Sequence, residues 1–120
     1  MNDNGWRASA TQAQQAIVAA LGAADSEEAV AQLSRGSESL EEALREAMAA
    51  AVLAGMSMRR VAEITGMAPN SVPPRLARSK SLGPYAGDGN ITAQSIAVAR
   101  HEAASGRPAM TFTPRRKDSP

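Results

Sequence analysis

Between Met58 and Arg78, in MRRVAEITGMAPNSVPPRLAR, a glycine separates two short apolar sets that each repeat at helical spacing. Val61 and Ile64, with Ala62 beside them, give one helix a buried side, and that helix is expected to stop at Thr65. Gly66 then falls where a left-handed turn residue is wanted, a position at which a β-carbon costs about 1 kcal/mol. Met67 opens the second apolar set, which continues through Val72 and Leu76. The spacing Ala62–Gly66–Val72, four and then six, suits two helices packed across a tight turn. A small residue lets them approach, the glycine turns the corner, and a β-branched residue fixes the second helix on the first. Pro73 and Pro74 limit where that second helix starts, because a proline in a helix interior costs ~3 kcal/mol. First-turn N–H groups have no partner within the helix, so both prolines fit if Ser71 is the N-cap and Val72 the first helical residue.

With these residues in place, the stretch resembles a bacterial helix-turn-helix of the kind found in the fourth region of sigma factors and in small regulators. There, VAEITGM followed by a V-x-x-x-L-A-R helix is a familiar cadence. The resemblance covers roughly a fifth of the chain. It implies an all-α domain, small and helical, with a trihelical unit that lays its second motif helix against the major groove of double-stranded DNA. Pro73 and Pro74 depart from the pattern. The family would aim these positions at base edges, but proline donates no hydrogen bond, which leaves only apolar packing on a thymine methyl. Asn70, Ser71, Arg75 and Arg78 remain as contacts to bases or phosphates, with Arg59, Arg60 and Lys80 flanking. Arg75 and Arg78, three apart, are expected on the helical face opposite Val72 and Leu76.

The distribution of charge points the same way. The net charge is +1, but residues 1–55 hold eight acids and three bases, while residues 56–120 hold ten bases and four acids. The sign changes where the motif begins. A basic half suits phosphate binding, in which each neutralised phosphate releases counterions; a solvated basic surface is the plainer reading. Aromatic residues for stacking on single-stranded bases are limited to Trp6, Tyr85 and Phe112, so single strands and RNA rank low.

Twenty-six alanines favour helix over strand and leave a thin core, in which each Leu, Ile, Val and Met carries more of the stability. Residues 1–10 show no period and read as a flexible arm. Residues 11–36 read as two helices, Thr11–Leu21 and a second that starts after Asp25 with Glu27 and Glu28 in its first turn, carries Val30 and Leu33 inward, and stops at Gly36. Residues 37–80 form the helix-turn-helix unit. Its support helix runs from Leu40 to Ala54 behind a Ser39-x-x-Glu42 capping box, buries Leu40, Leu44, Met48 and Val52, and is closed by Gly55. Ser57 caps the next helix. Residues 81–106 are a loop followed by a helix from Ala93 to about Ala104, capped by Thr92, stapled by Ile91 and anchored by Ile96, Ala97 and Val98. Residues 107–120, with Arg115, Arg116 and Lys117, read as a basic disordered tail.

The chain offers little for catalysis. Cysteine is absent and His101 is the single histidine, so no set of three or four metal ligands can be assembled around either type. Gly87 and Gly89 follow no strand and precede no Lys-Ser/Thr, unlike a phosphate loop. The expectation is therefore no enzyme, no metal and no cofactor. No apolar run approaches the ~20 residues of a membrane span, and a cytoplasmic, nucleoid-associated protein is expected. A homodimer is expected to help one short helix hold DNA, with the acidic N-terminal helices as its seam. Two rival expectations share the fold: a module that docks a protein partner rather than DNA, favoured by Pro73-Pro74, and an antitoxin-like protein whose tail folds on its target.

Overall fold

The structure is a computed structural model that describes residues 5–87 and 89–105. Every regular element among them is helical: α1 (Gly5–Leu21), α2 (Ser26–Leu53), α3 (Met58–Thr65), α4 (Val72–Ala77) and α5 (Ala93–Ala104), with 3-10 turns at Pro69–Ser71 and Gly83–Tyr85. The expected all-α class holds. The chain divides between Ala47 and Met48 into two compact units. The expected basic tail lies outside the described residues.

The first unit is a helical hairpin made by α1 and the N-terminal part of α2. Two expectations are corrected here. Residues 5–10, expected as an arm, form the first turns of α1. Gly36, expected to end a helix, lies inside α2, which runs unbroken for 28 residues. The cause is packing. A β-carbon on Gly36 would stand 3.2 Å from Ala16 Cβ and 3.6 Å from the Ala13 carbonyl oxygen, so α1 passes α2 where only a glycine leaves room. Glycine weakens a helix interior by about 1 kcal/mol, and close helix packing outweighs it. The buried or half-buried residues of α1 include Ser9, Ala13, Ala16 and Ala20, and those of α2 include Ala29, Gly36, Ser39 and Ala43. The seam is thus built from small side chains at alternating spacings of three and four. Since α2 is already helical at Ser39, no capping box forms there. Instead the hairpin turn is closed by Asp25, whose Oδ1 accepts from the Glu28 N–H at 2.9 Å.

Burial in this unit also departs from expectation. Val30, Leu33, Leu40 and Leu44 were expected inside and are 67%, 51%, 57% and 36% exposed. Leu40, Leu44, Met48 and Val52 do share one stripe, but only Met48 and Val52 enter a core. Along the hairpin, α2 turns Gly36 and Ala43 to its neighbour, one residue and so about 100° away from the leucines.

The second unit encloses the main core: Met48, Ala49, Val52, Val61, Ala62, Val72, Leu76, Leu82, Tyr85, Ile91, Ile96 and Ala99. The C-terminus of α2 closes as expected at Gly55, which has φ 120°. Met56 N–H donates to Ala51 O and Gly55 N–H to Val52 O, each at 3.0 Å, the paired bonds of a Schellman ending. Arg100, reaching across from α5, donates from Nε to Val52 O at 2.9 Å and from Nη2 to Met56 O at 3.1 Å. A cation at a helix C-terminus also opposes the helix dipole favourably. Ser57 caps α3 through Oγ, which accepts from the Arg60 N–H. Thr92 caps α5 in a capping box with Ser95. Ile96 is buried in α5 as expected, but the second fully buried position is Ala99 rather than Ala97, which is exposed.

The stretch from Ser79 to Tyr85, expected to be extended or turning, supplies Leu82 and Tyr85 to this core. Ser79 is 2% exposed; its Oγ donates to Leu76 O at 2.7 Å and accepts from the Leu82 N–H at 3.0 Å. Those bonds satisfy the backbone of a tight turn and allow Leu82 to be fully buried. Tyr85 packs beside it and donates its hydroxyl to Glu102 Oε1 at 2.8 Å.

Candidate nucleic-acid interface

The pair α3 and α4 is joined by a corner whose geometry the residue types dictate. Gly66 has φ 76° and ψ 7°, the left-handed conformation, and its N–H donates to Ala62 O. Thr65 strengthens the corner: its Oγ1 donates to Val61 O at 2.8 Å and accepts from the Met67 N–H at 3.2 Å. Val61 and Ala62 are buried on α3, and Val72 and Leu76 on α4. Ile64, expected inside, is 59% exposed. The buried arc of α3 runs through Val61, Ala62 and the half-buried Thr65, which leaves Ile64 at its rim.

The helix α4 starts at Val72, with Pro73 and Pro74 in its first turn, where the missing N–H groups are harmless. Ser71 precedes it, but its side chain makes no capping bond and its backbone is helical, with φ −83° and ψ −17°. The reason is local. The 3-10 turn leads directly into α4, the Val72 N–H already donates to Pro69 O, and the prolines have no N–H to cap. This helix start therefore has no spare backbone donors for a phosphate, and any anion contact must come from side chains.

The side chains expected to bind DNA all lie within this unit. Arg59, Arg60, Asn70, Ser71, Arg78 and Lys80 are exposed, and Arg75 is half-buried. Arg60 Nη1 lies 3.1 Å from Glu63 Oε1 in an exposed pair that solvent screens. Arg78 stands just past the end of α4, as its C-cap, one turn after Arg75. With six residues, α4 is about 9 Å long, under two turns.

Other chemistry is sparse among the described residues. No group of three His, Cys, Asp or Glu is placed to hold a metal ion. His101 is exposed in the last turn of α5. A depression of about 190 Å³ beside Tyr85, Thr92, Gln94, Ser95 and Val98 is smaller than the ~300–1,000 Å³ of ordinary ligand pockets. No described helix is long and apolar enough to cross a membrane. Tyr85 has a perturbed hydroxyl: burial first, then its hydrogen bond to Glu102, pushes the pKa up to about 12. No protein-family model, curated protein or solved structure matches the chain.

What sequence reading missed was the exposed apolar side of the hairpin. Its signal was present in the seven-residue step from Leu33 to Leu40, which a stop at Gly36 conceals.

Proposed function

We propose that this is a double-stranded DNA-binding protein, a transcriptional regulator or accessory factor, that uses the segment 57–80 as a helix-turn-helix. The observation that carries the reading is the α3–Gly66–α4 corner, with its buried Val61, Ala62, Val72 and Leu76 and its exposed rim of Arg59, Arg60, Asn70, Ser71, Arg78 and Lys80. Arg75 and Arg78 contact phosphates or guanine edges, and Asn70 and Ser71 lie at the approach to α4. Because Pro73 and Pro74 donate nothing, most of the binding energy is electrostatic and the sequence preference is weak.

The test is fluorescence anisotropy on random duplex DNA across a salt series, comparing wild type with Arg75→Ala/Arg78→Ala. Binding is expected to weaken steeply with salt and to do so less steeply in the double variant, by about one unit of slope for each phosphate that is no longer neutralised. Equal slopes would remove these arginines from the interface.

The rival reading, a module that docks a protein partner, is favoured by one feature: α4 is only six residues long and begins with two prolines. Absence of duplex binding even at low salt would transfer the proposal to that reading.

A further inference from the structure

The hairpin has one apolar side that nothing among the described residues covers. On α1 it carries Ile17 and Leu21, 45% and 84% exposed; on α2 it carries Val30, Leu33, Leu40 and Leu44. These residues fall on one side for a geometric reason. In α1 they lie one position after the seam residues Ala16 and Ala20, and in α2 one position after Ala29, Gln32, Ser39 and Ala43. In two antiparallel helices the same offset from a shared seam turns both stripes to the same side. The opposite side carries Glu28, Arg35, Glu38 and Glu42, all exposed or half-buried.

We infer that this apolar side is a homodimer interface, closed by the hairpin of a second copy into an antiparallel four-helix bundle. Two observations select a second copy as occupant. The first is area. Scaled to the full area of each side chain, the exposures leave about 600 Å² of apolar surface per copy, the upper end of the ~300–600 Å² that the largest patch of a monomer usually covers. Pairing two copies buries roughly 1,200 Å², the lower edge of stable specific interfaces. The second is register. On α2 the stripe Val30, Leu33, Ser37, Leu40, Leu44 advances by three, four, three and four, the knobs-into-holes spacing of paired helices. It is also close to symmetric about Ser37. Turned end for end on itself, Val30 meets the partner's Leu44, Leu33 meets the partner's Leu40, and the two Ser37 residues face each other. No charged residue interrupts the stripe, so a strongly charged partner has nothing to select it.

Dimerisation is tested without DNA, so its outcome is separate from that of the binding assay. Sedimentation of the full chain is expected to give a dimer that tightens with salt, because the acidic hairpins repel and salt screens them. DNA binding has the opposite salt dependence. Leu33→Asp/Leu40→Asp, at exposed positions, is expected to be monomeric with helicity unchanged, while Ile64→Asp, exposed on the other unit, leaves the dimer intact. The chain has no cysteine, so Ser37→Cys reads the register: diamide is expected to convert it to a covalent dimer and to leave Arg35→Cys uncross-linked. A wild-type monomer at every salt concentration, a dimer that survives the Leu33/Leu40 pair, or cross-linking of Arg35→Cys in preference to Ser37→Cys would overturn the proposal.

Discussion

Replacing Arg100 tests whether the join between the end of α2 and α5 is held by directed bonds or by packing alone. Its guanidinium donates to Val52 O at 2.9 Å and to Met56 O at 3.1 Å, and the side chain is half-buried. A hydrogen bond from a charged donor is worth about 1.5–3 kcal/mol net. Val52 O keeps its bond from the Gly55 N–H, so removing the guanidinium does not strand it, and the lower end applies to that bond. The sum for Arg100→Met, which retains the stem but not the donors, is about 3–4.5 kcal/mol. Arg100→Lys keeps the charge near the helix end but offers a point donor instead of a fork, and should cost about half as much. Urea unfolding of the three proteins gives the answer. A fall in the midpoint with unchanged slope is expected, in the order wild type, Lys, Met. In a domain of this size each kcal/mol also lowers the thermal midpoint by about 4–8 °C. If Arg100→Met stays within about 0.5 kcal/mol of wild type, the two bonds contribute nothing net and the join is apolar packing.

Gly36→Leu places a side chain where even a β-carbon stands 3.2 Å from Ala16, and should destabilise the hairpin by about 3 kcal/mol or more despite leucine's better helix propensity; circular dichroism during thermal unfolding reads it. Gly66→Ala has open space around the new methyl, so its cost is purely conformational, about 1 kcal/mol by urea titration. Tyr85 is the single tyrosine, so tyrosinate absorbance reports on it alone. Its folded pKa, about 12, lies above the ordinary 10, so the folded state holds its proton longer than the unfolded chain. Its contribution to stability is complete below pH 10 and is lost as pH rises from 10 to 12, and Tyr85→Phe should flatten that decline.

What could be read from sequence alone was what a single local signal decides. Ser57 and Thr92 cap helices because a hydroxyl there satisfies an N–H two or three residues on, and Gly55 and Gly66 end helices because each adopts positive φ. The fate of Gly36 was hidden because its reason is another helix, and glycine as a stop and glycine as a close approach look alike in sequence. Ser71 failed as a cap because the residues after it left no donors to cap. The core contribution of Leu82 and Tyr85 was illegible because they sit on irregular backbone, which has no period to detect, whereas Ile91 was legible as the staple of the last helix. At the candidate interface, exposure of the flanking basic residues followed from their being charged, but the half-burial of Arg75 did not.

The small-residue seam between α1 and α2 also shapes how stability responds to temperature. Alanine and glycine lose almost no side-chain entropy on ordering, and they return little apolar surface to water when the hairpin opens. For the hairpin freed from its dimer partner, as in Leu33→Asp/Leu40→Asp, the heat-capacity change of unfolding this unit should therefore fall below the usual ~12–15 cal/mol/K per residue, and its stability curve should be broad and shallow. A hairpin joined in this way gains little at its optimum and loses little on either side of it.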